Sequence, residues 1–143
     1  MTIGRYVDLP ADQISPDEAA TVYAKEIAQV VDTLGEERVL AETDLDQASV
    51  TALRDGRADA IELTGVSRIL ALLEEVPAET VKAELLDGLL IEMTNAVIDV
   101  ERLAIRCPLG LSAKEIQQRI EGREPMSLEV YAVIRETIIA ERP

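Results

Sequence analysis

From residue 15 onward apolar side chains recur at three-and-four spacing, and Gly, Pro or a capping residue interrupts the pattern at short intervals. That is the period of an amphipathic helix, and no stretch alternates apolar and polar for long enough to make a useful strand. The expected fold is all-α. Ser15-Pro16-Asp17-Glu18 predicts a helix start: Ser15 caps, Pro16 suits the first helical position, and Glu18 closes a capping box. Ala19, Val22, Tyr23, Ile27, Val30, Val31 and Leu34 form the buried stripe of this helix, which Gly35 ends. Shorter helices follow over 36–43, 46–55 and 61–75, with Asp46 as a cap and Gly56 at a left-handed terminator. Val39, Leu40, Leu45, Val50 and Leu53 are expected to face Leu63, Val66, Ile69, Leu70 and Leu73.

Pro77 closes this first half. Residues 78–98 read as a second long helix that is apolar nearly all round, which places it at the centre of a core or at a subunit interface. Asp99 caps a short helix to Arg106, Pro108-Leu109-Gly110 breaks it, and Ser112 with Glu115 forms a capping box for a helix that Gly122 ends. Ser127 starts the last helix, over 128–140. Leu128, Val133 and Ile139 point away from its Tyr131, Ile134 and Ile138 stripe, so a homodimer contact is expected there. Residues 1–14 contain Gly4 and Pro10 and read as an extended arm whose order requires docking.

Moving the first half by 63 to 66 positions lays it on the second. The long helices coincide, Val39-Leu40-Ala41 falls on Arg102-Leu103-Ala104, Val50 on Ile116, Gly56-Arg57 on Gly122-Arg123, and Ile69 on Ile134. The expectation is about eight helices in two pseudo-symmetric four-helix units, 15–76 and 78–141, packed through their long helices around one shared core. One connecting turn is read as three residues longer in the second unit.

Composition narrows the function classes. The 143 residues contain 28 acidic and 14 basic side chains, a net charge of -14, three Lys (Lys25, Lys82, Lys114), no Trp and no Phe. Such a balance suits a cytoplasmic protein in concentrated salt, where carboxylates keep the surface hydrated; an ordinary acidic protein is the alternative. Carboxylates repel nucleic acid at low ionic strength, but near 1 M salt the screening length falls to about 3 Å and the local charge decides. With no His, histidine-based triads and Cys/His zinc sites are excluded. Glu84, Asp87 and Glu92 share one helix without the Glu-x-x-His pairs that bundle metal sites use. Gly-rich phosphate loops are missing as well. The reading is a non-enzyme with no cofactor, no membrane span, and a buried apolar Cys107.

Residues 39–57, with Ala41 at the small position of a first helix, Leu45 at the turn, and Val50 and Leu53 facing inward from a second, resemble the helix-turn-helix of the phage-repressor and Cro class. The resemblance implies that Gln47, Ala48 and Ser49 meet base edges of double-stranded DNA and that Arg54 and Arg57 lie near phosphates. The turn is one residue short, Asp44 stands where Gly is usual, and residues 36–57 are negative by three. Residues 102–123 are positive by three and resemble the same class, although 104–110 is two residues longer than that class has and Arg119 takes an apolar slot. Here the resemblance assigns Lys114, Gln117 and Gln118 to bases and Arg106, Arg119 and Arg123 to phosphates. Two readings stay open: a dimeric DNA-binding or transcription-associated factor, and a non-catalytic protein-interaction or scaffold module whose helix-turn-helix units merely pack. Over 17–139, with the runs Met93-Thr94-Asn95-Ala96-Val97-Ile98-Asp99-Val100 and Glu115-Ile116-Gln117-Gln118-Arg119-Ile120-Glu121-Gly122, the chain is similar to a haloarchaeal small acidic domain family of unknown function.

Overall fold

Ser15 leaves the extended region, and its side chain accepts from the Asp17 N–H at 3.3 Å to open α1 (Pro16–Leu34). The expected capping box with Glu18 does not form there; a reciprocal box occurs at Ser112 and Glu115. The computed structural model describes residues 2–3, 6–9 and 14–143. Gly4 and Pro10 lie outside the described residues. Seven further helices follow: α2 (Glu36–Glu42), α3 (Gln47–Arg54), α4 (Leu63–Glu74), α5 (Ala78–Ala96), α6 (Val100–Arg106), α7 (Ala113–Ile120) and α8 (Leu128–Ala140). The fold is all-α, with one small addition near the start, where β1 (Thr2–Ile3) and β2 (Val7–Asp8) pair antiparallel. Ile3, Tyr6, Val7, Leu9 and Ile14 are buried, so this part of the arm is docked rather than merely extended.

Most of the expected core is observed. Val39, Val50, Leu53, Leu63, Val66, Ile69 and Leu70 are buried, while Leu40, Leu45 and Leu73 are half-buried against them. α4 starts later than its apolar pattern suggests. Ile61 and Glu62 are extended because their strand-like backbone is used elsewhere: Leu63 N–H donates to the Met126 carbonyl at 2.7 Å, and Leu128 N–H donates to the Ile61 carbonyl at 2.9 Å. The two segments that lead into α4 and α8 thereby hold each other.

The long helices do not pack chiefly on one another, as the sequence pattern had suggested. α1 packs most extensively on α8, α5 packs on α4, and each long helix also touches the other's main partner. This placement decides the fate of α8. Its two apolar sides, which read as a subunit contact, are filled within the chain: Leu128, Val133 and Ile138 are buried and Ile139 is half-buried. A helix held between two others needs apolar side chains on both sides.

α8 also carries a polar pair into the core. Arg135 NH1 donates to the Tyr23 hydroxyl at 2.8 Å and lies 3.3 Å from Glu136 Oε2, and the Tyr23 hydroxyl donates to the same carboxylate. Tyr131 meets Tyr23 edge to face, with centroids 6.4 Å apart. Burial pushes the Glu136 carboxyl above the usual carboxylate range, opposed by the Tyr23 hydrogen bond and the Arg135 charge. Burial likewise pushes both tyrosine hydroxyls up. Oε1 of Glu136 has no hydrogen-bond partner.

Candidate functional site

The residues assigned to DNA contact fall into separate groups. On α3, Gln47 and Ala48 are exposed, but the polar groups there are already engaged. Gln47 Nε2 donates to Glu36 Oε1 at 2.5 Å, and Arg54 spans Asp32 at 2.8 Å and Glu36 at 3.1 Å. Ser49 donates through both its N–H and hydroxyl to the Asp46 cap, and Arg57 lies 3.8 Å from Asp59. Every cation of this helix and the turn after it thus faces a carboxylate.

The second group is more open. Lys114, Gln117, Gln118 and Arg123 line one groove of about 230 Å³ with Val100, Glu101, Ala113 and Glu121. Gln117 Nε2 donates to Glu121 Oε1 at 2.9 Å, and Arg123 pairs with Glu121 at 2.6 Å. Lys114 is exposed and, among the described residues, has no ion-pair partner. Arg106 and Arg119 do not join this lining. Arg106 pairs with Glu141 at 2.9 Å, and Arg119 donates to the Glu115 carbonyl at 3.0 Å.

The turns after α3 and α7 match bond for bond. Gly56 N–H donates to Leu53 and Arg57 N–H to Ala52, at 3.0 and 2.8 Å; Gly122 N–H donates to Arg119 and Arg123 N–H to Gln118, at 3.1 and 2.9 Å. The glycines have φ of 79° and 77°, a region that costs a side chain roughly 1 kcal/mol or more. The surroundings differ. A Cβ on Gly56 would meet Thr21 Cγ2 at 3.0 Å, whereas one on Gly122 would meet Leu86 Cδ1 at 3.5 Å. Gly56→Ala is therefore expected to lose more than Gly122→Ala, which loses about 1 kcal/mol from its φ alone; denaturant unfolding of the two variants checks the order.

The Leu86 neighbour of Gly122 belongs to an apolar surface on α5. Val81, Leu85 and Leu89 are buried against the core, but Leu86, Leu90, Met93 and Val97 form a second stripe at four-three-four spacing, the seam of a helix that meets another helix. Leu90 is 50% exposed and Val97 82%. The ends of the two long helices coincide at a shift of 62 (97 − 35), one residue short of the range read from the sequence, and in α1 the places so matched hold Ala24, Ala28 and Val31, which are buried, and Gly35. Small residues let α3 close on α1; leucines hold α7 off α5. What remains is a crevice of about 300 Å³ lined by Leu90, Met93, Val100, Ile120 and three polar neighbours. It shares Leu90, Met93 and Asp99 with an open hollow of about 590 Å³ at Thr94, Val97 and Ile98, and Val100, Gln117 and Glu121 with the Lys114 groove.

A family model described as a family of unknown function, DUF5791, matches residues 19–141. The chain belongs to that family. No curated protein matches the chain, and no solved structure matches it. The DUF5791 match takes in α3, α5 and α7 together with the hollow and grooves between them.

Two measurable consequences follow from this part of the molecule. Val97 has φ 54°, a left-handed backbone that a β-branched residue rarely adopts. It ends α5 with Ile98 N–H donating to the Met93 carbonyl at 3.1 Å, and the burial of Ile98 stabilises the turn. Val97→Gly relieves the strain and removes almost no packing within the chain, so it is expected to raise stability by about 1 kcal/mol in thermal unfolding of dilute protein. The second concerns acid. The Ser49 N–H holds the Asp46 carboxyl below the usual range, so its contribution is complete above the ordinary carboxylate value and is lost as pH falls through the lowered folded value. Asp46→Asn keeps an acceptor without the charge; the gap between its melting midpoint and that of the wild type is expected to narrow on acidification.

Proposed function

We propose that this protein is a non-catalytic protein-interaction module whose working surface is the second apolar face of α5 together with the crevice beneath α6 and α7. The observation that carries the reading is the exposure of Leu90 and Val97 on either side of the half-buried Met93, on a helix whose other face is already satisfied by the core. Contiguous exposed apolar side chains beside a crevice mark a surface that another chain covers. The strain at Val97 adds to this. Gly35 ends α1 in the corresponding place, so a valine there has its account in a contact and not in the turn.

The module is read as an internal duplication. In support, the first three helices of each half have 19, 7 and 8 residues, and the last have 12 and 13. The link between the second and third helices spans 43–46 in one half and 107–112 in the other, longer by two residues rather than three. The bridge between Glu62 and Ser127 joins corresponding positions of the halves. The chain as a whole, carrying -14 with few lysines, suits a cytosol of concentrated salt.

A second reading has one observation in its favour: Lys114, Gln117, Gln118 and Arg123 share an exposed groove on the helix that the repressor resemblance assigns to bases. Retention on double-stranded DNA in molar KCl separates the two. The module reading predicts the same weak retention for the wild type and for Lys114→Glu with Arg123→Glu. Firm retention that the charge reversal abolishes would replace it with the DNA reading.

A further inference from the structure

We propose that the occupant of the α5 face is a second copy of this chain, paired through a two-fold contact in which the two α5 helices cross antiparallel about Met93 and Thr94. The inference rests on the interaction-module reading and commits it to one partner. Local charge carries the choice. A chain with net charge -14 repels its own copy wherever that charge is expressed, and a basic partner is the default expectation for such a surface. The hollow and grooves beside α5 express little of it. They are lined by Asp99, Glu101 and Glu121 against Lys114 and Arg123, so carboxylates lead cations there by one (3 − 2) and both signs are present where contact is made.

A balanced surface carrying both signs is what a two-fold interface requires, because residue i meets j and j meets i across the axis. Lys114 of one copy then faces carboxylates of the other without any new sequence. The apolar stripe satisfies the same condition. Met93 and Thr94 lie midway between Leu90 and Val97, so an antiparallel crossing sets Leu90 of one copy over Val97 of the second, and Val97 over Leu90. Lys114, which has no ion-pair partner among the described residues, lies on the flank of that contact. The first half offers no equivalent. Ala24, Ala28 and Val31 are already buried there, so the pairing is a property of the second half and closes at two copies.

The test is sedimentation velocity of the full chain across micromolar concentrations in molar KCl, with far-UV circular dichroism on each variant. The wild type is expected to sediment as a dimer, and Leu90→Gln with Val97→Asn to weaken the dimer about 100-fold or more, as the loss of two central anchors implies. Thr94→Cys in a Cys107→Ala background is expected to cross-link to its own copy on oxidation, and the exposed Ala48→Cys not to. A wild-type monomer at every concentration overturns the second copy as occupant and leaves the module reading standing, provided that the polar variant keeps its helicity. A dimer unchanged in the polar variant, or cross-linking at Ala48 in place of Thr94, overturns the α5 interface. Loss of helicity in the dilute polar variant assigns Leu90 and Val97 to the core and removes both proposals.

Discussion

Glu136→Ala is expected to lower the free energy of unfolding by about 3–5 kcal/mol, the range seen when one member of a buried ion pair is removed. The side chain of Glu136 is fully covered and that of Arg135 is 8% exposed, so neither finds water when the other is lost. Truncation takes the Glu136 carboxylate from the buried guanidinium and frees the Tyr23 hydroxyl from its acceptor. The cost comes from the buried groups that lose this acceptor and not from the net strength of the pair, which implies a second result. Replacing all three together, Tyr23→Phe, Arg135→Met and Glu136→Leu, is expected to recover most of the loss, because an apolar cluster of similar volume has no charge to desolvate. Urea unfolding checks both. A Glu136→Ala variant within about 1 kcal/mol of the wild type would mean that the pair is not enclosed as described.

The second large effect separates two neighbouring leucines. Leu89→Ala is expected to cost about 2–5 kcal/mol, since Leu89 is fully buried between α5 and the core and its removal leaves a cavity. Leu90→Ala, one residue on, is expected to cost no more than about 0.5 kcal/mol in dilute solution, because half of the side chain already faces water. Equal losses would place both leucines in the core and remove the basis for a second face on α5.

The helices were legible because their boundaries rest on local chemistry. Asp46, Asp99, Ser112 and Ser127 each accept from a backbone N–H of the following turn, and Gly56 and Gly122 adopt positive φ where the pattern places terminators. Partners were not legible. Periodicity states that α8 has two apolar sides but not that α1 and α5 fill them, since the order of helices in space depends on contacts far apart in the chain. The extension at Ile61 and Glu62 was hidden for the same reason: it exists because Met126 accepts from Leu63.

Candidate chemistry was read with the same asymmetry. Gln47 and Arg54 look available in the sequence, yet Asp32 and Glu36 from the neighbouring helices engage them. The burial of Arg135 and Glu136 gives no local signal, as adjacent opposite charges in a helix ordinarily face solvent. For the α5 surface a signal was present. Leu86, Leu90, Met93 and Val97 keep seam spacing in the sequence, whereas the match of Val97 to the Gly35 that ends the other long helix emerges only from the helix ends in the structure.

The central claim is that this α5 stripe is a contact surface. Methyl-labelled NMR spectra of the full chain in molar KCl, recorded from dilute to concentrated protein, test it most directly. The account predicts concentration-dependent shifts at the methyl groups of Leu86, Leu90, Met93 and Val97, with Leu53 and Ile69 unmoved. Differences that appear instead at Val50 and Ala48 on α3, or no difference at any methyl group between protein dilute enough to be monomeric and concentrated protein, would contradict the α5 contact between copies.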